Sequence, residues 1–203
     1  MFGVNDAIDR GAVLPATHAY VKVVPQPLRR GVSNFFDNLS YPRTIINDVL
    51  QAKLADGGRD TLRLVLNSVF GLGFFDPATR AGLERHSEDF GQTLGKWGIG
   101  SGSYLVLPLL GPSTVRDTVG GVPDEYSTGR HYIQDSTLRY SVMALDAIDT
   151  RAGLLEADVL LRESFDRYAF IRNAWLQRRD YLVHDGEIDE VPPVLPPDGS
   201  AGN

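Results

Sequence analysis

Cysteine is absent from the 203-residue sequence, which excludes a disulfide framework and any metal site built from thiolates. An excess of basic residues is also lacking: 20 Lys and Arg stand against 26 Asp and Glu, and the formal net charge is −6. Because nucleic-acid binding requires clustered Lys and Arg, the sequence predicts no nucleic-acid partner. The same balance provides no polybasic surface for anionic lipid headgroups.

Long apolar runs are missing as well. The longest extends from Tyr104 to Leu110, contains Pro108, and falls far short of the roughly 18–20 residues that span a bilayer. The first residues show no basic region followed by an apolar one, which is the pattern of a signal peptide. Taken alone, these absences predict a soluble, cytoplasmic chain, whose length suits one domain with a substantial core.

Helical spacing of apolar residues dominates the rest of the sequence, and strand-like alternation is almost absent. The pattern predicts helices over about 15–24, 26–39, 59–70, 114–120 and 136–162, one that starts at Pro42, a short one after Asp76–Pro77, and a last one capped by Ser164. Ser40–Tyr41 is expected to separate two helices, and Asp56–Gly58 to interrupt the chain before the next. We therefore predict a single all-α domain over residues 1–187 and a flexible Pro- and Gly-rich tail over 188–203.

One segment interrupts the helical pattern, from Gly91 to Gly111, with six glycines at positions 91, 95, 98, 100, 102 and 111. Each glycine inside a helix costs about 1 kcal/mol relative to alanine, so a hairpin-like or extended loop is predicted here. Gly98 and Gly100 permit positive φ and let a ligand approach the backbone. Residue physics leaves two interpretations open: a mobile apolar loop, or a rigid surface loop with its leucines turned inward.

Catalytic and metal-binding motifs are weak. The segment from Gly91 to Trp97 superficially resembles a P-loop, but its glycine spacing is wrong and Trp97 stands where Ser or Thr must reach Mg²⁺. No serine lies in a Gly-x-Ser-x-Gly elbow. His86 lies among Glu84, Glu88 and Asp89, a grouping that we interpret as a solvated acidic turn because it matches no established ligand spacing. The sequence thus predicts no catalytic residue, no metal and no cofactor.

Seven polar residues lie in or beside apolar segments. Because an unpaired buried polar group costs about 1–3 kcal/mol, we interpret them as structural residues that hydrogen-bond to helix ends and loops. They are Asn34, Asn38, Asn47, Arg63, Asn67, Arg116 and Asp117.

Several long motifs, in a fixed order, resemble one known family. The segments are Val24–Leu39 (VPQPLRRGVSNFFDNL), Asn47–Gln51, Asn67–Gly73, Phe75–Asp76, Asp89–Tyr104, Leu107–Asp117, Thr150–Ala152 and Tyr168–Asp180. Together they are similar to the MlaA (VacJ) family of outer-membrane lipoproteins, and the resemblance extends from Met1 to about Glu187. Members of that family begin with a signal peptide, a lipid-modified cysteine and an Asp-Pro…Gly-Phe-Asn-Arg segment. Met1-Phe2 resembles the residues just after it, so we expect the leader and anchor upstream of Met1.

The resemblance implies an all-helical, ring-like domain in the periplasmic leaflet of the outer membrane, with an amphipathic channel through the ring. It implies that phospholipids misplaced in the outer leaflet are removed and passed to a soluble periplasmic carrier protein, which keeps the membrane asymmetric. It also implies association with trimeric porins and no covalent chemistry, hence no enzyme. Two alternatives remain: a structural adaptor that organises porins without lipid transfer, and a lipid hydrolase using His86 or His131.

The resemblance favours the mobile interpretation of the glycine-rich segment, because the family has a hairpin beside its channel and Gly98 and Gly100 fall on its hinge positions. A lipid passage needs an apolar lining for acyl chains, which the run Leu105–Leu110 could supply. The predicted hairpin and channel residues are Trp97, Gly98, Ile99, Gly100, Gly102, Tyr104, Leu105, Val106, Leu107, Pro108, Leu109 and Leu110.

Overall fold

The computed structural model describes residues 1–187, and the tail predicted to be flexible, 188–203, lies outside the described residues. The all-α prediction is confirmed, since the described chain is helical apart from one antiparallel hairpin. The elements are α1 Phe2–Ile8, α2 Leu14–Val23, α3 Gln26–Leu50, α4 Leu54–Val69, α5 Pro77–Arg80, α6 Phe90–Lys96, β1 Tyr104–Leu107, β2 Gly111–Thr114, α7 Val115–Ser127, α8 Ser136–Gly153, α9 Ala157–Glu163 and α10 Arg167–Val183. No helix within 1–187 combines the length and apolar character needed to cross a bilayer.

The long helix α3 corrects one prediction. The sequence predicted two helices separated at Ser40–Tyr41, but α3 continues through Pro42. Proline removes one backbone hydrogen bond, and the packing of α3 against α4, α7 and α8 outweighs that single loss.

Helix α4 corrects a second prediction, because it begins at Leu54 and includes the Asp56–Gly58 segment that was expected to interrupt the chain. Gly57 is buried against α3, where an added Cβ would lie 3.2 Å from Cβ of Asp48. The glycine therefore allows two helices to approach closely and does not end one.

A short helix, α6, occupies the start of the segment predicted to be a loop. Its glycines face neighbouring helices: a Cβ added to Gly95 would lie 2.7 Å from Val183 of α10, and one added to Gly120 of α7 would lie 2.6 Å from the backbone nitrogen of Gly91. The low helix propensity of glycine is offset here by close packing between helices.

Three helix boundaries also differ from prediction. Helix α8 ends at Gly153 and α9 begins at Ala157, where one helix to about 162 was predicted. The poor helix propensity of glycine marks the break. Asp166 caps α10 by accepting a hydrogen bond from the backbone of Ala169, at 3.0 Å, in place of the predicted Ser164. Thr114 caps α7, which continues to Ser127 and is longer than predicted.

Candidate functional site

Helix α4 carries its polar residues inward and its apolar residues outward. Asp60, Arg63 and Asn67, spaced by three and four residues, form a buried stripe. Between them, Leu62, Val65 and Val69 form an exposed stripe; Val69 is 62% exposed. The helix is amphipathic as expected, but its polarity is the reverse of that of a helix on a water-soluble domain.

The same inversion recurs on two other helices. In α3 the side chains of Thr44, Asn47 and Asp48 are buried, while those of Ile46, Val49 and Leu50 are exposed. In α7 Arg116 and Gly120 are buried, whereas Val115, Val119 and Val122 are exposed. The three helices α3, α4 and α7 thus direct their apolar faces away from the protein interior.

The composition of the interior follows from this inversion. Within residues 1–187, only three hydrophobic residues are buried: Tyr41, Ala78 and Val183. Fourteen polar or charged residues are buried beside them. Contiguous exposed apolar patches larger than a few hundred Å² mark surfaces that contact a partner or a membrane, whereas single scattered apolar side chains do not. The exposed apolar stripes of α3, α4 and α7 are of the contiguous kind.

A cavity of about 1050 Å³ opens in this polar interior. It lies between the C-terminal half of α3, the start of α4, the loop before α6 and the end of α10. Both basic and acidic side chains line it. The basic residues are Arg43, Lys53, Arg59, Arg85 and Arg178, and the acidic residues are Asp37, Asp56, Asp60, Glu84, Glu88 and Asp185. The cavity can therefore accommodate a polar or zwitterionic group.

Arg63 lies behind one wall of the cavity and positions the lining residues Tyr41 and Leu83. Its fully buried guanidinium donates to the Tyr41 hydroxyl at 2.6 Å, to both carboxylate oxygens of Asp76 at 3.1 and 3.2 Å, and to the backbone oxygen of Leu83. Asp76 also accepts hydrogen bonds from Arg85. The loop between α4 and α6 is thereby fixed to α3 and α4 through charged groups.

A second cluster surrounds His86. Its Nδ1 lies 2.8 Å from Asp60 and 3.5 Å from Asp48, and its Nε2 lies 3.1 Å from Glu88. Hydrogen bonds to Asp60 and Glu88 raise the pKa of His86 to about 10, although burial acts in the opposite direction. Burial raises the pKa of Asp48 to about 7. Lys53 completes the cluster by donating to Glu88 at 2.8 Å.

A third cluster joins α6, α7 and α10. Arg179 donates to both oxygens of Asp89 at 2.6 and 2.9 Å, and to those of Asp117 at 2.8 and 3.2 Å. Asp89 also caps α6 by accepting from the backbone of Gln92 at 2.8 Å. Arg116 contacts Asp117 at 3.2 Å. The cluster borders a smaller cavity of about 280 Å³ beside Gly98 and Gly100.

The hairpin pairs Tyr104 with Thr114 and Leu107 with Gly111. Leu109 and Leu110, at its turn, are 76% and 78% exposed. The turn is tied to α1, because Asn5 donates to the backbone oxygen of Leu107 at 2.7 Å and accepts from the backbone of Leu109 at 3.0 Å. The turn leucines therefore point outward while the backbone behind them is anchored.

The two proposed hinge glycines differ in geometry. Gly98 has φ of +85° and ends α6: its N–H bonds to the oxygen of Gly95, and that of Ile99 to the oxygen of Leu94, both at 2.9 Å. This pair of bonds is the Schellman arrangement, which favours glycine. Gly100 does not have a positive φ, and an added Cβ would meet no atom within 4 Å.

We therefore expect different stabilities for two alanine variants. Gly98→Ala must place a side chain in the left-handed region and should lower the free energy of unfolding by about 1–2 kcal/mol. Gly100→Ala should change it by less than about 0.5 kcal/mol. Denaturation of both variants in the same detergent measures the difference. Equal losses would mean that the positive φ of Gly98 is not required.

Comparison with known proteins decides the family. The sequence profile of the family described as MlaA lipoprotein matches residues 1–182. This chain belongs to the MlaA lipoprotein family. The "Intermembrane phospholipid transport system lipoprotein MlaA" of Escherichia coli (strain K12) is 38% identical over 195 residues, which cover 93% of this chain and 76% of that protein. Its namesake from Haemophilus influenzae is 31% identical over 204 residues, covering 95% and 79%.

A solved structure agrees with the family assignment. It is described as "Structural basis for maintenance of bacterial outer membrane lipid asymmetry", and it matches this chain with a TM-score of 0.80 at 34% identity. The match covers 90% of this chain and 94% of the solved chain. The helical architecture described above is therefore that of a known MlaA fold.

The seven polar residues predicted from the sequence fall into four groups in this MlaA-family chain. Arg63 joins the cluster with Asp76, and Arg116 and Asp117 belong to the Arg179 cluster. Asn47 and Asn67 are buried, and Asn67 accepts from the backbone of Ala78 at 3.2 Å. Asn34 and Asn38 are half-buried and donate to the backbone oxygen of Phe74 and the hydroxyl of Ser68.

The predicted hairpin residues fall into two groups. Tyr104 to Leu110 form β1 and the turn, while Trp97 to Gly102 form the connection from α6. The indole of Trp97 is half exposed and donates to the backbone oxygen of Leu50 at 3.3 Å, so this connection contacts α3. Of the predicted residues, Gly98, Ile99 and Gly100 line the smaller cavity, Tyr104 to Leu110 do not, and none of the twelve lines the larger cavity.

The interpretation of His86 as part of a solvated acidic turn is wrong. Glu88 is buried, and the contacts of His86 are Asp48 on α3 and Asp60 on α4 besides Glu88. Sequence reasoning missed both aspartates because they lie 38 and 26 residues away from the histidine in the chain. The available signal was that Asp48 and Asp60 fall on the polar faces of their helices.

The Arg179 cluster makes the free energy of unfolding depend on pH in the acidic range. Burial alone would raise the pKa of Asp89, but the hydrogen bonds and charge of Arg179 outweigh it and lower the pKa from its ordinary value near 3.8. Because the pKa of Asp89 is lower in the folded state, its charged form stabilises the fold at pH values above about 4. This stabilisation is lost as the pH falls below about 4.

We expect Asp89→Asn to show a smaller loss of stability between about pH 5 and pH 3 than the unchanged chain, because the variant has already lost this charge. Its side-chain oxygen can still cap α6. Urea denaturation over that range measures the slope, and identical slopes would contradict the assignment.

Proposed function

We propose that this chain moves phospholipids from the outer leaflet of the outer membrane towards a soluble periplasmic carrier protein and thereby maintains the asymmetry of that membrane. The inverted polarity of α3, α4 and α7 carries the proposal, because it suits a protein whose outer surface contacts lipid and whose interior is polar. Membership of the MlaA family, whose named relatives are lipoproteins of an intermembrane phospholipid transport system, supports it.

A phospholipid has two parts, and the chain offers surfaces suited to both. The large cavity presents basic groups such as Arg59 and Arg178 to a phosphate, and carboxylates to a cationic headgroup. The hairpin run from Leu105 to Leu110 presents apolar side chains to acyl chains. In this proposal the headgroup follows the polar interior while the acyl chains remain against apolar side chains.

The location proposed is the periplasmic leaflet of the outer membrane. Amphipathic helices can lie in a membrane interface without crossing it, and the exposed apolar stripes provide the buried face that such a position requires. The same exposed surface could contact a trimeric porin, the partner that the family resemblance implies. Co-purification of porin with the anchored chain in mild detergent would test that contact.

A cavity-filling variant tests the route of the headgroup. Ser87 is exposed and lines the large cavity, so Ser87→Trp should obstruct it without disturbing packing. Ser141, exposed on α8 and outside that lining, provides the matched control Ser141→Trp. Both are expressed with a lipoprotein leader and anchor in cells lacking their own family member.

We expect Ser87→Trp to leave phospholipid in the outer leaflet and to increase sensitivity to detergent, and Ser141→Trp to restore the barrier fully. Surface phospholipid and detergent resistance are measured at matched protein levels. If both variants restore asymmetry equally, the headgroup does not pass through this cavity.

Bulky replacements test the hairpin separately. A Cβ added to Gly100 meets no atom within 4 Å and the residue has no positive φ, so Gly100→Leu should fold, yet it adds bulk to the connection between α6 and β1. If this connection moves during transport, the variant should fail to restore lipid asymmetry. Full restoration by a well-folded Gly100→Leu would remove the hinge from the proposal.

The alternative is a structural adaptor that organises porins without moving lipid. The exposed apolar surface favours it as well, because that surface can contact a membrane-embedded protein such as a porin as readily as it can contact lipid. The two functions differ in one measurable property: a transporter should co-purify with phospholipid. Mass spectrometry of gently extracted protein measures this, and lipid-free protein with bound porin would favour the adaptor.

A further inference from the structure

Three potential ligands for a metal ion converge between α3, α4 and the loop before α6. One oxygen of Asp48, one of Asp60 and a ring nitrogen of His86 all lie within 4.8 Å of one another. Both aspartates are fully buried, and each is positioned by a long helix. The histidine is partly accessible from the large cavity, which provides a path from solvent.

The carboxylates in this cluster are incompletely paired. Both oxygens of Asp48 and Oδ1 of Asp60 are inaccessible and accept no hydrogen bond. Buried polar atoms are almost always satisfied, and a buried carboxylate without partners is particularly costly. Oδ1 of Asp48 is directed at the cluster, 3.5 Å from Nδ1 of His86. A buried, unpaired oxygen of Asp48 that faces Asp60 and His86 would be stabilised by a positively charged partner.

The nearby basic group is already engaged elsewhere. Lys53 donates to Glu88 and to Asp185. His86 is then the cation that faces both Asp48 and Asp60, and two carboxylates share one imidazole. A divalent cation would balance both carboxylates while leaving the imidazole neutral.

We propose that Asp48, Asp60 and His86 bind one divalent cation of the zinc class. A neutral imidazole with two carboxylates is a donor set that suits Zn²⁺, whereas Mg²⁺ and Ca²⁺ prefer oxygen ligands alone. The cation links α3, α4 and the loop before α6 at the wall of the large cavity. This inference does not depend on the proposed movement of lipid.

Glu88 supports the histidine from the other side. With Nδ1 directed at the two aspartates, Nε2 lies 3.1 Å from Glu88 and can donate to it. A carboxylate that accepts from the second ring nitrogen fixes the tautomer and orientation of a metal-binding histidine. Glu88 is itself held by Gln51 and Lys53, at 2.8 Å each, so we assign it a positioning role.

Titration of the purified full chain tests the site. The protein is prepared in mild detergent without a histidine tag, stripped with EDTA, and titrated with ZnCl₂ in a calorimeter. We expect one Zn²⁺ per chain, a rise in the unfolding temperature on binding, and at least about tenfold weaker binding of MgCl₂ and CaCl₂. Absence of saturable Zn²⁺ binding would overturn the proposal, and tighter binding of Ca²⁺ would overturn its assignment to the zinc class.

Variants identify the ligands. Asp48→Asn and His86→Gln should each weaken Zn²⁺ binding by at least about 100-fold, and Glu88→Gln by about 10–100-fold. His184→Gln, which changes an exposed histidine, is the control and should bind as the unchanged chain does. Asp48→Asn removes a buried charge and is expected to fold. Retained binding in Asp48→Asn or His86→Gln, or loss in His184→Gln, would place the ion elsewhere.

Discussion

Replacing Gly120 by alanine is expected to lower the free energy of unfolding by about 2–3 kcal/mol, one of the largest effects of any single methyl group in this chain. An added Cβ would lie 2.6 Å from the backbone nitrogen of Gly91 and 3.1 Å from the carbonyl carbon of Phe90. Both atoms belong to backbone and cannot turn aside as a side chain can. Helices α6 and α7 would have to separate.

The next residue supplies the control. Gly121 lies in the same helix, and a Cβ added there would meet no atom within 4 Å. Gly121→Ala should therefore be neutral or stabilise the chain by up to about 1 kcal/mol, through helix propensity alone. Urea denaturation in one detergent measures both variants. Equal stabilities would show that the crossing of α6 and α7 tolerates a side chain.

The consequence of Gly120→Ala should extend to the Arg179 cluster. The crossing of α6 and α7 positions Asp89 and Asp117 on the two sides of this guanidinium. We therefore expect faster hydrogen exchange in α10 of the variant as well as in α6 and α7.

Removing the charge of Arg63 is the second change with a large expected effect. Arg63→Met should destabilise the chain by about 3–5 kcal/mol, the usual result when one member of a buried ion pair is lost. Asp76 would keep only Arg85 among its basic partners, and the Tyr41 hydroxyl would lose the donor at 2.6 Å. The loop between α4 and α6 should become the first region to open.

Arg59 provides a matched control on the same helix. Its side chain is 67% exposed and pairs with Asp56 three residues earlier. Arg59→Met should change the free energy of unfolding by less than about 0.5 kcal/mol, since exposed ion pairs contribute little. The two variants are compared by denaturation and by hydrogen exchange over residues 76–86. A loss in Arg63→Met no greater than in Arg59→Met would contradict the role of this cluster.

Glycine shows where local sequence reasoning fails in this chain. Gly57, Gly91 and Gly95 predicted loops or interruptions by their low helix propensity, yet all three lie in helices. Propensity measures the cost of glycine in an isolated helix, and it contains no information about a neighbouring helix that needs the space. Gly98 behaves as its local properties predict, because its positive φ ends α6.

The sequence by itself determined the helical class, the position of the hairpin, and which residues share a face of each helix, because these depend on local periodicity and on motifs read along the chain. It could not determine that the polar faces of α3, α4 and α7 point inward, since periodicity is the same for either orientation. Nor could it join Asp48 and Asp60 to His86, which depends on how α3, α4 and a loop pack. Tertiary structure alone decided both, because only packing determines which side of a helix meets the interior.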